Sequence, residues 1–201
     1  MVFTHIIGTG SALPACTLHN GNLAQLVQTS DEWIVERTGI RERRIAGPRE
    51  TSSVLGVQAA RAALQMAEVP VHDLDAIICA TYTPEKPLPS VACRIHAALG
   101  AKNIEAFDVS AACCGFLYGL NVADCMIASG RYRRILLVST DNTTKYIDFT
   151  DRNSCCLFGD GAGAVVLRAA SKPGILRSVL HADGSQAKIL SVPGAVSGGK
   201  V

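Results

Sequence analysis

An α/β fold, with a mixed and mostly parallel sheet flanked by helices, is predicted by three features of the chain. Apolar runs suited to buried strands recur at residues 74–81, 105–109 and 133–140. Between them lie stretches with helical spacing of apolar residues and recognisable caps. The chain has 201 residues, 48% hydrophobic and 18% charged, which is enough apolar material for one substantial core and argues against disorder.

Taken in order, residues 3–7 read as a strand ending in a Gly8-Thr9-Gly10 turn. The third glycine of a dinucleotide fingerprint is missing, and Pro14-Ala15 stand where its phosphate-binding helix would run, so that reading is set aside. Thr29-Ser30-Asp31-Glu32 has the capping-box form, predicting a short helix through Arg37 that stops at Gly39. Trp33, the only tryptophan, shares a face with Arg37 at i and i+4, either as a core anchor beside a solvated cation or as a binding pair. Arg41-Glu42-Arg43-Arg44, with Arg49, reads as a solvated basic patch or a contact for an acidic partner.

Thr51 or Ser52 caps a long helix to about Glu68, with Leu55, Ala59, Ala62 and Met66 on its core face. After the strand at 74–81, residues 89–99 fit a helix with proline in its first turn and Gly100 just past its end. The strand at 133–140 is followed by a polar stretch, 141–154, read as a functional or covering loop. The small residues 159–164 enter a strand through Leu167. No Lys-Ser/Thr follows as a phosphate loop requires, so close backbone packing is their expected role. Residues 175–180 read as a last strand and 194–201 as a tail.

The chemistry-bearing junction is at residues 105–120, where an apolar strand passes through Ser110, Ala111 and Ala112 into a helix expected to begin near Cys113. Phe116, Leu120, Ala123 and Ile127 supply its apolar face. A cysteine there meets unpaired backbone N–H groups and the positive end of the helix dipole, surroundings that suit a nucleophilic sulfur. Adjacent helix residues point about 100° apart, so only one of Cys113 and Cys114 faces a given pocket, and the turn alone leaves the choice open.

Net charge is +2, too small to imply a nucleic-acid partner. No apolar run approaches the ~18 residues of a membrane span. The first residues lack a basic n-region and a long apolar h-region, and the eight cysteines show no C-x-x-C metal pattern. The expectation is a cytoplasmic protein with reduced thiols, no metal and no membrane partner.

Together the motifs resemble β-ketoacyl-acyl-carrier-protein synthase III, a condensing enzyme of the thiolase superfamily. The resemblance runs through Ile7-Gly8-Thr9-Gly10, the specific stretch Thr29-Ser30-Asp31-Glu32-Trp33-Ile34-Val35-Glu36-Arg37-Thr38-Gly39-Ile40-Arg41-Glu42-Arg43, and Pro89-Ser90-Val91-Ala92-Cys93. It continues through Ala106-Phe107-Asp108-Val109-Ser110-Ala111-Ala112-Cys113, Thr150-Asp151-Arg152, Phe158-Gly159-Asp160-Gly161-Ala162-Gly163-Ala164 and His181-Ala182-Asp183-Gly184-Ser185. It implies a thiolase-like layered fold with Cys113 as the nucleophile, Cys114 filling a place usually held by a small residue. Trp33 and Arg152 are implied to bracket the adenine of coenzyme A, with Thr29 and Arg37 as further contacts. Phe158 is implied to line the acyl pocket, and Leu88 to cross a dimer interface into the partner's pocket.

The implied reaction starts fatty-acid synthesis: an acyl group, expected to be acetyl, passes from acyl-CoA to Cys113 and then condenses with malonyl-acyl-carrier protein. Coenzyme A thioester enters as substrate, and no cofactor is implied. The family's pattern continues past residue 201 with a second α/β half bearing the histidine and asparagine of the decarboxylation step. The five histidines here, 5, 19, 72, 96 and 181, lie outside that motif. The expected division is residues 1–172 as the nucleophile-bearing half and 173–201 as the start of the second. Homodimerisation or completion by a C-terminal half is expected, and docking on acyl-carrier protein or a complete synthase as a non-catalytic module is the alternative.

Overall fold

A computed structural model describes residues 2–192. In chain order the elements are β1 (Phe3–Ala12), β2 (Cys16–His19), α1 (Asn20–Leu23), α2 (Asp31–Thr38), β3 (Glu42–Ile45), α3 (Ser52–Ala67) and β4 (Ala76–Ala80). There follow α4 (Val91–Leu99), β5 (Glu105–Val109), α5 (Gly115–Ala128), β6 (Arg134–Asn142), α6 (Arg152–Cys155) and β7 (Asp160–Ala170). The tail at 194–201 lies outside the described residues.

Five strands form one sheet in the order β1-β7-β6-β4-β5. β4 runs parallel to both β5 and β6, whereas β7 is antiparallel to β6 and β1, so the sheet is mixed in equal measure. Strand side chains alternate between its two faces. Ile77, Cys79, Leu136, Val138 and Val166 join Leu55, Ala59, Ala63 and Ile95 in the core under α3 and α4. Ile78, Ile135, Leu137 and Leu167 meet Ala123 and Ile127 of α5 on the opposite face. A smaller unit, the β2–β3 ribbon with α1, α2 and α6, closes over Leu23, Ile34, Cys155 and Cys156.

Several sequence expectations change for packing reasons. Gly8 and Gly10 end no strand: β1 runs through them with a bulge between Ile6 and Gly8. A Cβ at Gly8 would overlap the Ala63 carbonyl, and one at Gly10 the Ala59 carbonyl, so α3 lies directly on the β1 backbone. That contact turns the core face of α3 toward Leu55, Ala59 and Ala63, leaving Met66 exposed. In α5 the centre of the buried face is Gly115 and Gly119, with Phe116 and Leu120 at its margin. A Cβ at Gly119 would come within 2.7 Å of Leu137 Cδ1, so the helix closes on the sheet over bare backbone. Residues 175–180 form no strand; Ile175 N–H donates to the Thr4 carbonyl, but no ladder develops along β1.

β5 is an edge strand, with Glu105 exposed and its other four residues half-buried. It is tied inward by Asp108, whose carboxylate accepts from Val91 N and Ala92 N at 2.8 Å, at the start of α4. An anion at that end complements the unpaired N–H groups and the dipole of the helix.

Candidate active site

The parallel strands β4, β5 and β6 deliver their carboxyl ends to one rim of the sheet, where ligand sites of open α/β sheets form. There β5 leads into a 3-10 turn, Ala112–Cys114, and α5 starts at Gly115. Cys113 sits just outside the helix cap and is exposed, as is Cys114. Ala112 has φ of 45°, a left-handed conformation that costs a Cβ-bearing residue steric strain. The turn is held by Cys114 N–H donating to the Ala111 carbonyl at 3.1 Å, and Thr81 N–H donates to the Val109 carbonyl at 3.2 Å. The strained residue therefore directly precedes the candidate nucleophile.

A polar cluster at this rim was not legible in the sequence. Asp141 Oδ1 accepts from Thr81 Oγ1 at 3.1 Å, Tyr82 N at 3.0 Å and Thr83 Oγ1 at 3.1 Å. Burial pushes the Asp141 carboxyl up, against these hydrogen bonds, which favour the charged form. The Tyr82 hydroxyl pairs with Thr143 Oγ1. Burial also pushes the Tyr82 phenol up; its bond with Thr143 opposes the rise, while charge at Asp141 and Cys113 adds to it. A β4 residue followed by Thr81-Tyr82-Thr83 gives no periodic signal, because its partners come from β6.

The second group of candidates lies on the small unit. α2 is capped by Ser30, whose Oγ accepts from Trp33 N at 3.1 Å; Thr29, expected as the cap, instead has a buried hydroxyl without a partner. Ser30 has the extended backbone of an N-cap, φ −143° and ψ 165°. Trp33 is half-buried against the small core, so it is an anchor and a surface at once. The guanidinium carbons of Arg37 and Arg152 each lie 4.5 Å from the Trp33 ring centroid. Arg152 Nη1 also donates to the Gln28 carbonyl at 3.2 Å, next to Thr29. An indole face flanked by two cations suits a flat base attached to phosphates.

Phe158 is half-buried in the turn between α6 and β7. Leu88 is 82% exposed on the loop before α4. Two surface concavities, of about 210 Å³ near Ser53, Arg61 and Arg94 and about 460 Å³ near Asn121 and Tyr132, include neither Cys113 nor Trp33. Among the described residues there is no cluster able to hold a metal ion, and no helix is long and apolar enough to cross a membrane.

The basic patch is divided. Arg41 and Arg49 are exposed, but Arg43 is only 5% exposed, contrary to a wholly solvated patch. Strand alternation in β3 turns it inward between two outward neighbours.

Residues 107–184 match the family model described as 3-Oxoacyl-[acyl-carrier-protein (ACP)] synthase III. The chain is 50% identical over 191 residues to a β-ketoacyl-[acyl-carrier-protein] synthase III of Roseiflexus sp. (strain RS-1), covering 94% of this chain and 58% of that protein. Among solved structures, 3-oxoacyl-[acyl-carrier-protein] synthase III from Aquifex aeolicus VF5 superposes with a TM-score of 0.82 at 49% identity, over 84% of this chain and 55% of that one. The corresponding synthase from Pseudomonas aeruginosa PAO1 reaches 0.88 at 40% identity, over 97% and 62%. The chain thus spans about three-fifths of the length of the curated relatives it matches, 58% to 62%. Over both the cysteine turn and the tryptophan-bearing unit the chain is similar to part of a β-ketoacyl-acyl-carrier-protein synthase III.

Proposed function

We propose that the chain takes part in the initiating step of fatty-acid synthesis as an acyltransferase in which Cys113 accepts an acyl group from acyl-coenzyme A. The observation that carries this reading is the exposed Cys113 in a strained turn at the start of α5, on a chain that also presents the Trp33–Arg152 stack. The Cys113 thiolate attacks the thioester carbonyl, the carbon–sulfur bond to coenzyme A breaks, and coenzyme A leaves as a thiolate that takes up a proton. Charge on the tetrahedral oxygen requires oriented N–H donors, for which the backbone at Cys113 is the local candidate. Trp33, Arg37, Arg152 and Thr29 would hold the nucleotide end of the donor, and Phe158 the acyl chain.

In the second step malonyl-acyl-carrier protein loses carbon dioxide, and the carbanion attacks the Cys113 thioester, releasing the enzyme thiolate. The groups the family uses for decarboxylation have no counterpart in residues 1–201, so this step is assigned to the chain together with a C-terminal half. Exposed Leu117, Leu157, Leu176, Ile189 and Leu190 fit such completion. The unpaired edge of β5 fits a second copy, in keeping with homodimerisation.

The test is intact mass after incubation with acetyl-CoA. A gain of about 42 Da that disappears in Cys113→Ala is expected, since an acetyl group replaces one hydrogen. A folded chain that gains no mass but captures acyl-carrier protein would replace this reading with the non-catalytic docking module.

A further inference from the structure

Arg43 is a buried cation without an acidic partner among the described residues, a placement that costs free energy unless its geometry is used. Its fork reaches three segments. Nη1 donates to the Leu18 carbonyl of β2 at 3.1 Å, and Nη2 donates to Asn20 Oδ1 of α1 at 2.7 Å and to the Cys156 carbonyl at 3.2 Å. Cys156 is the C-cap of α6, the helix that begins with Arg152.

Asn20, itself 1% exposed, relays the connection. Its Nδ2 donates to Asp31 Oδ1 at 2.7 Å and to the Ile40 carbonyl at 2.8 Å, that is, to the first residue of α2 and to the segment just after it. One guanidinium is thus bonded on one side to α6 and, through a single amide, to both ends of α2. Those two helices carry the partners of the Trp33–Arg152 stack. A lysine could supply the charge but not the planar fork that serves three acceptors at once.

We propose that Arg43 is a positioning residue: through Asn20 and the Cys156 carbonyl it sets the spacing of α2 and α6, and so the geometry with which Trp33 and Arg152 hold the adenine nucleotide of the acyl donor. This rests on the reading of Trp33 and Arg152 as the nucleotide grip, and it adds a residue that touches no substrate.

Because Trp33 is the only tryptophan, its emission reports both claims separately. Wild type, Arg43→Lys, Arg43→Met and Asn20→Ala would be compared by acrylamide quenching without ligand, by coenzyme A titration of the emission, and by the rate of Cys113 acetylation from acetyl-CoA and from S-acetyl-pantetheine, which lacks the nucleotide. In all three variants, quenching should rise before any ligand is added. Loss of a charge-assisted hydrogen bond at the hinge should weaken coenzyme A binding about tenfold or more. Acetylation from S-acetyl-pantetheine should stay within about twofold of wild type, since none of the fork's hydrogen bonds goes to the cysteine turn.

Arg43→Lys and Asn20→Ala keep the test open if Arg43→Met fails to fold. Unchanged quenching and unchanged coenzyme A affinity in the folded variants would overturn the proposal while leaving the nucleotide grip intact. Equal loss with both donors would also overturn it, because Arg43 would then support the fold in general. A wild type whose emission ignores coenzyme A would instead remove the nucleotide reading, and the ligand-free quenching would still decide whether Arg43 sets the α2–α6 spacing.

Discussion

The guanidinium of Arg152 stacks on the indole of Trp33 at 4.5 Å, joining the first residue of α6 to the first turn of α2. Arg37 takes a place at the same distance from the same ring. With two cations already on it, the indole is preorganised beside charge suited to phosphate, and an entering base would compete with a guanidinium for its face.

Trp33→Ala should weaken coenzyme A binding by roughly 1–3 kcal/mol, the scale of base–aromatic stacking, as read by calorimetry. The same substitution should leave acetylation by S-acetyl-pantetheine unchanged. Unaltered affinity would remove the adenine assignment.

Cys114→Ala should retain acetylation while Cys113→Ala loses it. Both thiols are exposed, but Cys114 is the N-cap of α5 and Cys113 precedes it. Peptide mapping of the acetylated chain checks the choice; an adduct on Cys114 would reverse it.

Asp141 gives a pH prediction. Burial raises its folded-state pKa above the unfolded value, so the native state binds more protons between the two. Its contribution to stability is present below the unfolded pKa and is lost as pH rises through the folded one. Asp141→Asn keeps an oxygen acceptor for Thr81, Tyr82 and Thr83 and should flatten that part of the stability profile in denaturant titrations at several pH values. Asp141→Ala leaves buried donors without a partner and should cost about 1–3 kcal/mol at every pH.

Gly119→Ala should destabilise by roughly 1–3 kcal/mol, because the added methyl meets Leu137 Cδ1 in a packed core. Thermal melts check this, and pairing it with Leu137→Ala should recover part of the loss if the overlap is the cause.

Much of the fold was legible. The helices at 52–67, 91–99 and 31–38 and the strands at 76–80 and 134–142 follow from periodicity and from end signals such as Thr51 and Gly100. Those signals are local: a cap needs the N–H groups two or three residues on, and an apolar stripe needs only its own spacing. The strand expected at 175–180 fails because an extended run becomes a strand only when another backbone supplies its ladder.

By itself the sequence determined the class of fold, its longer helices and its buried strands, the turn that carries Cys113 and the shared face of Trp33 and Arg37. Only the tertiary structure decided that Gly8, Gly10 and Gly119 are contact points, that β5 lies at an edge, that Asp141 gathers Thr81, Tyr82 and Thr83, and that Arg43 is buried while Arg41 is not. The reason is physical. Spacing along a chain states which residues share a face, whereas which face meets which is set by the packing of distant segments, where steric fit and the pairing of every buried polar group are settled together.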